Sequence, residues 1–350
     1  MPNNDTTTLD GSLLELGETM AANLTAKGVT STASEGLTTL AAKILDIQGG
    51  GGVSCYKVEF TSNSLSYGDW DFANNQQVAR LQIYLQYQYM PFAGDVTVSD
   101  GSNTYTVSTN AAGIGTLLAP ITANTTTFTA SYTATSDTFT VTKSTYLFKD
   151  SCADSSGLSS YASSVPLYKS TSGDPSCVLS YSSSYSCYEI HSTNSTTSYY
   201  SGIQINDANL NGETNYVATM EIYQIGSGTT NEVGLYVDNS NDTSSYGYGG
   251  TVLCQTSRLY GKRMQYGGVS TSNNVLIENP SLSRNTWYIL ELKVTDARLE
   301  VTLYDIDYNL IETFGYNQSI NNKILMITQK GGGTSATSNL IRNIKVRSVS

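Results

Sequence analysis

From Tyr56 onward, apolar side chains recur at every second position, and that period of two commits most of the chain to β-strands. Tyr56, Val58 and Phe60 alternate with polar neighbours. Ala79, Leu81, Ile83, Leu85 and Tyr87 form the apolar half of a long strand whose other half is Val78, Arg80, Gln82, Tyr84 and Gln86. Val96 and Val98, the turn Asp100-Gly101, then Tyr105 and Val107 read as a hairpin. After a break at Ala119-Pro120, the period resumes at Phe128, Ala130 and Tyr132 and ends at Phe139 and Val141. The clearest later strands are Val217 to Ile225, Val233 to Val237, Trp287 to Val294, Leu299 to Tyr304 and Leu310 to Phe314. In two of them Leu290, Leu292 and Val294 alternate with Glu291 and Lys293, and Leu299, Val301 and Leu303 with Glu300 and Thr302.

The opening of the chain has a different period. Leu9, Leu13, Leu16, Met20 and Leu24 step by three and four, which sets them on one face of a helix. Leu37, Leu40, Ile44 and Ile47 form a second such stripe, with Thr32 and Glu35 placed as a capping box and Lys27-Gly28 as the stop before it. Helices this short do not bury an apolar face alone, so these nine residues are expected to dock on a partner or on copies of the same chain. Gly49 to Gly52 then form a flexible linker.

Charged residues make up only 13 % of the 350 residues, about half the usual share, and Ser, Thr, Asn, Gly and 26 tyrosines take their place. Such a surface works by hydrogen bonding and stacking. With a formal net charge of −11, it has no electrostatic attraction for nucleic acid or for anionic membranes, while neutral glycans suit it. The first ten residues carry Asp5 and Asp10 and no basic, then apolar, export signal, and no apolar run is long enough to span a bilayer. An adhesive composition without an export signal fits a virion protein assembled in the host cytoplasm.

Three segments resemble known families. Gly94-Asp95-Val96-Thr97-Val98-Ser99-Asp100-Gly101, Thr109-Asn110-Ala111-Ala112-Gly113-Ile114-Gly115 and Thr127-Phe128-Thr129-Ala130-Ser131-Tyr132 resemble bacterial immunoglobulin-like modules of surface and phage proteins. The resemblance implies a spacer or adhesion module without catalytic residues. Phe148-Lys149-Asp150, Thr286 to Val294, Leu303-Tyr304-Asp305 and Ile341 to Val346 resemble the concanavalin A-like jelly rolls of lectins, laminin G-like modules and glucanases. That family implies first and last strands side by side, and it admits a structural calcium ion, here near Asp150 and Asp154. Leu16 to Val29 with Glu35 to Ile44 is similar to the starts of tail and fibre proteins of bacterial and archaeal viruses. The expected organisation is therefore mainly β: a helical attachment segment (1–48), a linker (49–53), an immunoglobulin-like sandwich (54–145) and a jelly roll (146–350). The expected role is a head or tail fibre or receptor-binding protein, a homotrimer joined to other virion proteins by its helices and facing a host surface glycan.

Reaction centres are hard to find. Glycoside hydrolysis needs two flanking carboxyl groups, but Glu221, Glu291 and Glu300 each stand on a strand with no acidic residue two positions on. The chain is therefore expected not to be an enzyme. Its rival is a depolymerase or glucanase using Glu221 or Glu291, and a third reading is a cell-surface adhesin. Asp305, Asp307 and Asn309 begin like a calcium loop, but Leu310 replaces the required glycine and Tyr316 the closing glutamate, so a hairpin turn is expected. The single histidine, His191, makes no zinc set, and no metal site or cofactor is expected. Five irregularly spaced cysteines (Cys55, Cys152, Cys177, Cys187, Cys254) read as reduced thiols, with a Cys177–Cys187 bridge as the alternative. Tyr199, Tyr200, Tyr246, Tyr248, Tyr260 and Tyr266 lie in Gly- and Ser-rich stretches that read as loops, which makes them the candidate glycan contacts. Trp287, opening a strand, is assigned to the core.

Overall fold

A computed structural model describes residues 6–26, 30–36, 39–40, 56–168, 177–192, 200–210, 213, 215–225, 232–238, 246–254, 257–265, 273–318, 324–330 and 338–349. It is mainly β, and among the described residues the strand pairing is antiparallel apart from a parallel bridge between Tyr67 and Thr142. The chain divides into two compact units, Met1–Gly68 with Val78–Lys143, and Asp69–Gln77 with Ser144–Ser350.

The first unit opens with helix α1, Thr6–Ala26. Leu24 and Leu40 are buried with Ala21, and Met20 packs on them, in a small cluster of their own. Leu13 and Leu16 remain exposed, at 43 % and 49 %. Leu9 lies on the helix, and Leu37, Ile44 and Ile47 fall outside the described residues. The strands that follow in the chain are β1 Tyr56–Phe60, β2 Asp69–Asp71 (which belongs to the second unit), β3 Gln76–Tyr87, β4 Met90–Pro91, β5 Asp95–Ser99, β6 Thr104–Ser108, β7 Ile114–Pro120, β8 Thr125–Tyr132 and β9 Thr135–Thr142. In one sheet β3 pairs with β1, β4 and β7; the other has the order β6-β5-β8-β9. Ala79, Leu81, Ile83 and Leu85 of β3 pack with Val96, Val98, Phe128, Ala130 and Val141 of the second sheet, so the two sheets form a sandwich. Full burial of a Leu or Ile side chain contributes about 1.5–3 kcal/mol. A strand of alternate aliphatics is therefore enough to set which face turns inward.

The second unit contains β10 Tyr146–Asp150, β11 Tyr161–Tyr168, β12 Cys177–Ser182, β13 Cys187–Ser192, β14 Tyr200–Ile205, β15 Tyr216–Gln224, β16 Glu232–Asp238 and β17 Tyr246–Leu253. It continues with β18 Arg258–Gln265, β19 Asn273–Glu278, β20 Trp287–Val294, β21 Arg298–Asp305, β22 Leu310–Asn317, β23 Ile324–Lys330 and β24 Ser338–Ser348. An eight-stranded sheet has the order β12-β13-β24-β15-β20-β21-β22, with β10 also on β24, and a seven-stranded sheet the order β11-β14-β23-β16-β17-β18-β19. Strands β10 and β24, the first and last of the segment 144–350, thus lie side by side. Ala218, Met220, Ile222, Leu290, Leu292, Val301 and Val346 of the larger sheet share one core with Val233, Leu235, Val252, Leu259 and Ile327 of the smaller. The sheets approach closely at glycine: a Cβ on Gly250 would meet Val301 Cγ1 at 2.4 Å, and one on Gly261 would meet Phe314 at 2.9 Å.

Asp305 folds the turn between β21 and β22 by accepting from the backbone N–H groups of Asp307 (2.9 Å) and Asn309 (2.8 Å) and from Asn309 Nδ2 (2.8 Å), as a hairpin turn does. The alternative Cys177–Cys187 bridge is overturned by register. Cys177 faces Ser192 and Cys187 faces Ser182, at opposite ends of one hairpin. Five residues of strand span about 16 Å, far beyond the roughly 7 Å that a disulfide tolerates between Cα atoms. Cys152, Cys187 and Cys254 are buried and unbridged, and burial pushes the Cys187 thiol up to about 11 and that of Cys254 to about 12.

Candidate functional site

Strict alternation sends Ala218, Met220 and Ile222 of β15 into the core, which leaves Glu221 and Tyr223 on the sheet's other face. On β20, Tyr288, Leu290 and Leu292 point inward and Trp287 and Glu291 outward. Tyr223 stands directly opposite Trp287, and their rings lie 5.2 Å apart at 46°. From the other neighbouring strand, Arg342 faces Glu221 and places its guanidinium carbon 4.0 Å from the centre of the Trp287 ring. Tyr223, Trp287 and Arg342 are all partly exposed.

The register explains the grouping. Between Thr219 and Glu221 the pairing with β24 slips, so that Thr219 faces Lys345 and Glu221 faces Arg342, one residue more on β24 than on β15. Asn343 takes a left-handed φ of 51° at this bulge. Two consecutive side chains then reach one carboxylate: Arg342 Nε donates to Glu221 Oε2 at 2.7 Å and Asn343 Nδ2 to Oε1 at 2.8 Å. With both oxygens engaged, Glu221 anchors the guanidinium and holds it over the indole. A cation on an aromatic face contributes about 0.5–1 kcal/mol where exposed, more where water is excluded. The result is a pre-set aromatic platform carrying a guanidinium that bonds Glu221 through Nε alone among the described residues. Such a surface suits a ligand with flat C–H faces and hydroxyl groups.

This arrangement corrects the sequence-based assignment of Trp287 to the core. Its parity with Glu291 and Lys293, outward residues of the same strand, was the available signal. The tyrosines behave differently from the loop reading. Tyr200, Tyr246, Tyr248 and Tyr260 all lie within strands, and Tyr248 and Tyr260 are 6 % and 5 % exposed. Tyr248 belongs to the sandwich core, 6.4 Å from Tyr316, so its ring offers no face to a ligand. Tyr260 is covered as well and its hydroxyl accepts from Arg258 Nη1 at 3.2 Å. Tyr199 and Tyr266 fall outside the described residues.

The acidic residues have separate fates. Glu291 lies on the same outer face with Oε2 buried and unpartnered, and that burial raises its pKa above the usual carboxylate range. It stands opposite Thr219 and Thr302, whereas Glu221 stands opposite Ile289. Asp150 is bonded by the Cys152 N–H (2.8 Å) and the Tyr161 hydroxyl (3.0 Å), and Asp154 by the Ser156 N–H (2.7 Å). Among the described residues no three His, Cys, Asp or Glu side chains gather as a metal site. No helix among them is long and apolar enough to cross a membrane.

No family model matches the chain, and no curated protein is similar to it. Solved structures do resemble it. The carbohydrate-binding module CBM66 from Bacillus subtilis is 12 % identical with a TM-score of 0.37, over 52 % of this chain and 99 % of that one. A Bacillus subtilis protein of unknown function with a galectin-like fold is 7 % identical with a TM-score of 0.42, over 58 % and 96 %. Arcelin-5, a lectin-like defence protein from Phaseolus vulgaris, is 6 % identical with a TM-score of 0.38, over 58 % and 97 %. The sandwich of the second unit is defined by its own strand pairings and shared core rather than by these likenesses.

Proposed function

We propose that the chain is an adhesion protein that binds a neutral glycan, without turnover, on the outer face of its eight-stranded sheet. The observation that carries this reading is the Tyr223–Trp287 pair beneath an anchored Arg342. In the full reading the second unit is a concanavalin A-like jelly roll and the first an immunoglobulin-like spacer. The N-terminal segment joins the protein, as a trimer, to other virion components. The exposed Leu13 and Leu16 of α1 support a docking role for that segment.

A glycan array probed with the full chain tests the binding. A neutral glycan is expected to be retained, and Trp287→Ala and Arg342→Ala are each expected to weaken it by about tenfold or more, the equivalent of about 1.4 kcal/mol. Retention unchanged in both variants refutes the site. Release of reducing ends from a retained glycan, abolished by Glu221→Gln, replaces adhesion with hydrolysis.

A further inference from the structure

The first unit carries a second polar feature. Strands β5 and β7 end, and β6 and β8 begin, at the same end of this sandwich. Their two connections enclose an open cleft of about 820 Å³, lined by Asp100, Asn103 and Tyr105 on one side and Thr122, Thr125 and Thr126 on the other. That volume lies within the range of small-molecule sites.

Both walls are fixed by the protein's own hydrogen bonds. Asp100 Oδ1 accepts from the N–H groups of Ser102 (2.8 Å) and Asn103 (2.6 Å), and Oδ2 from Asn103 Nδ2 (3.0 Å) and the Tyr105 hydroxyl (3.3 Å). These donors hold the Asp100 carboxyl down at about 2, so it stays ionised and its lone pairs serve the turn. Across the cleft, Lys143 Nζ donates to the Thr122 carbonyl at 2.7 Å and the Lys143 N–H to the Asn124 carbonyl at 2.8 Å. The hydroxyls of Thr104, Thr122, Thr125 and Thr126, in contrast, bond to no described residue. A rigid wall with a half-buried phenol ring therefore faces a row of open hydroxyls. No cation is among the residues lining the cleft, the Lys143 ammonium beside it is bonded to the Thr122 carbonyl, and the one carboxylate is already spent, so an uncharged ligand suits it best.

We infer that this cleft is a second ligand site, distinct from the Trp287 face, and that it takes an uncharged oligosaccharide through Tyr105 and the threonine hydroxyls. Loops held by a rigid scaffold bind at low ordering cost, because their conformation is paid for during folding.

The test is amide NMR of the labelled full chain titrated with malto-, cello-, manno- and xylo-oligosaccharides, and with polygalacturonate as the charged comparison. At least one neutral sugar is expected to shift the Asn103, Tyr105, Thr122 and Thr126 amides saturably. Tyr105→Ala and Thr122→Arg should each weaken that response by about tenfold, while Trp287→Ala leaves it intact. Thr122 is exposed, so its variant keeps the test sound if Tyr105→Ala misfolds. The inference is overturned if no neutral sugar moves these amides, if polygalacturonate moves them equally, or if the response survives Thr122→Arg. A response lost only in Trp287→Ala supports the first site and removes the second.

Discussion

Removing the carboxylate of Asp69 is expected to destabilise the second unit severely, although the residue is distant in sequence from nearly all of it. The segment Asp69–Gln77 belongs to that unit. Within it, Asp69 Oδ1 accepts from Lys345 Nζ at 2.5 Å, and Lys345 also donates to the Tyr308 hydroxyl at 3.0 Å. The side chains of Lys345 and Asp69 are only 9 % and 5 % exposed. Beside them, Trp70 packs edge-on to Tyr146 at 5.6 Å, with the Lys149 ammonium 3.2 Å over the Trp70 ring. Deleting one member of a buried pair leaves the other charge uncompensated, at a cost of about 3–5 kcal/mol. Asp69→Ala strands the Lys345 ammonium with the Tyr308 hydroxyl as its named partner. For a unit of this size each kcal/mol is worth about 2–4 °C, so the melting temperature should fall by about 6–20 °C. Calorimetry on the full chain reads this directly. The double variant Asp69→Leu with Lys345→Met replaces both charges by apolar groups and should recover most of the loss. A single-variant loss below about 1 kcal/mol, or a double variant as unstable as the single, refutes the assignment of this pair as a buried anchor.

Two further substitutions probe the same unit. Gly250→Ala places a Cβ 2.4 Å from Val301 Cγ1 across the sandwich and should cost about 1–3 kcal/mol in urea unfolding, with Val301→Ala added to it restoring part of the loss. Equal stability of wild type and Gly250→Ala would show that the sheets are farther apart at this point. Glu291→Gln concerns pH: burial raises the folded carboxyl above its ordinary value of 4.5, so the folded state holds the proton more tightly than the unfolded state. The favourable term is full below that ordinary value and lost as pH rises through the folded value. Gln should therefore raise the melting temperature at pH 8 and leave it nearly unchanged at pH 4; an unchanged difference across that range contradicts the shift.

Much of the strand framework is legible from alternation. The aliphatics of β3, β20 and β21 that share a period of two are the residues found in the cores. What misleads is glycine. Tyr248 sits between Gly247 and Gly249-Gly250, a composition that reads as loop. In the structure those glycines are strand positions. A Cβ on Gly249 would meet the Tyr236 ring at 2.8 Å, and Gly250 makes way for Val301 of the facing sheet. Close approach of backbone to side chain selects glycine there, and Tyr248 beside it is covered rather than displayed. Other features join residues too distant for any local pattern: Asp69 with Lys345, and the turn at Asp100 with the threonines after Pro120.

The candidate glycan face illustrates why binding features escape a reading by period. Alternation alone would send Arg342 and Asn343 to opposite faces of the sheet. One extra residue on β24, with Asn343 at φ 51°, brings both to Glu221. The irregularity that spoils the sequence pattern is the one that fixes the guanidinium over Trp287. A regular strand would leave Glu221 with a single partner and the platform without its second donor. The inward residues on either side, Ile341 and Ile344, are separated by three positions rather than two, yet both are fully buried in the core. That spacing is the trace the bulge leaves in the sequence. It has meaning only once both isoleucines are known to face inward, which the packing of the opposite sheet decides.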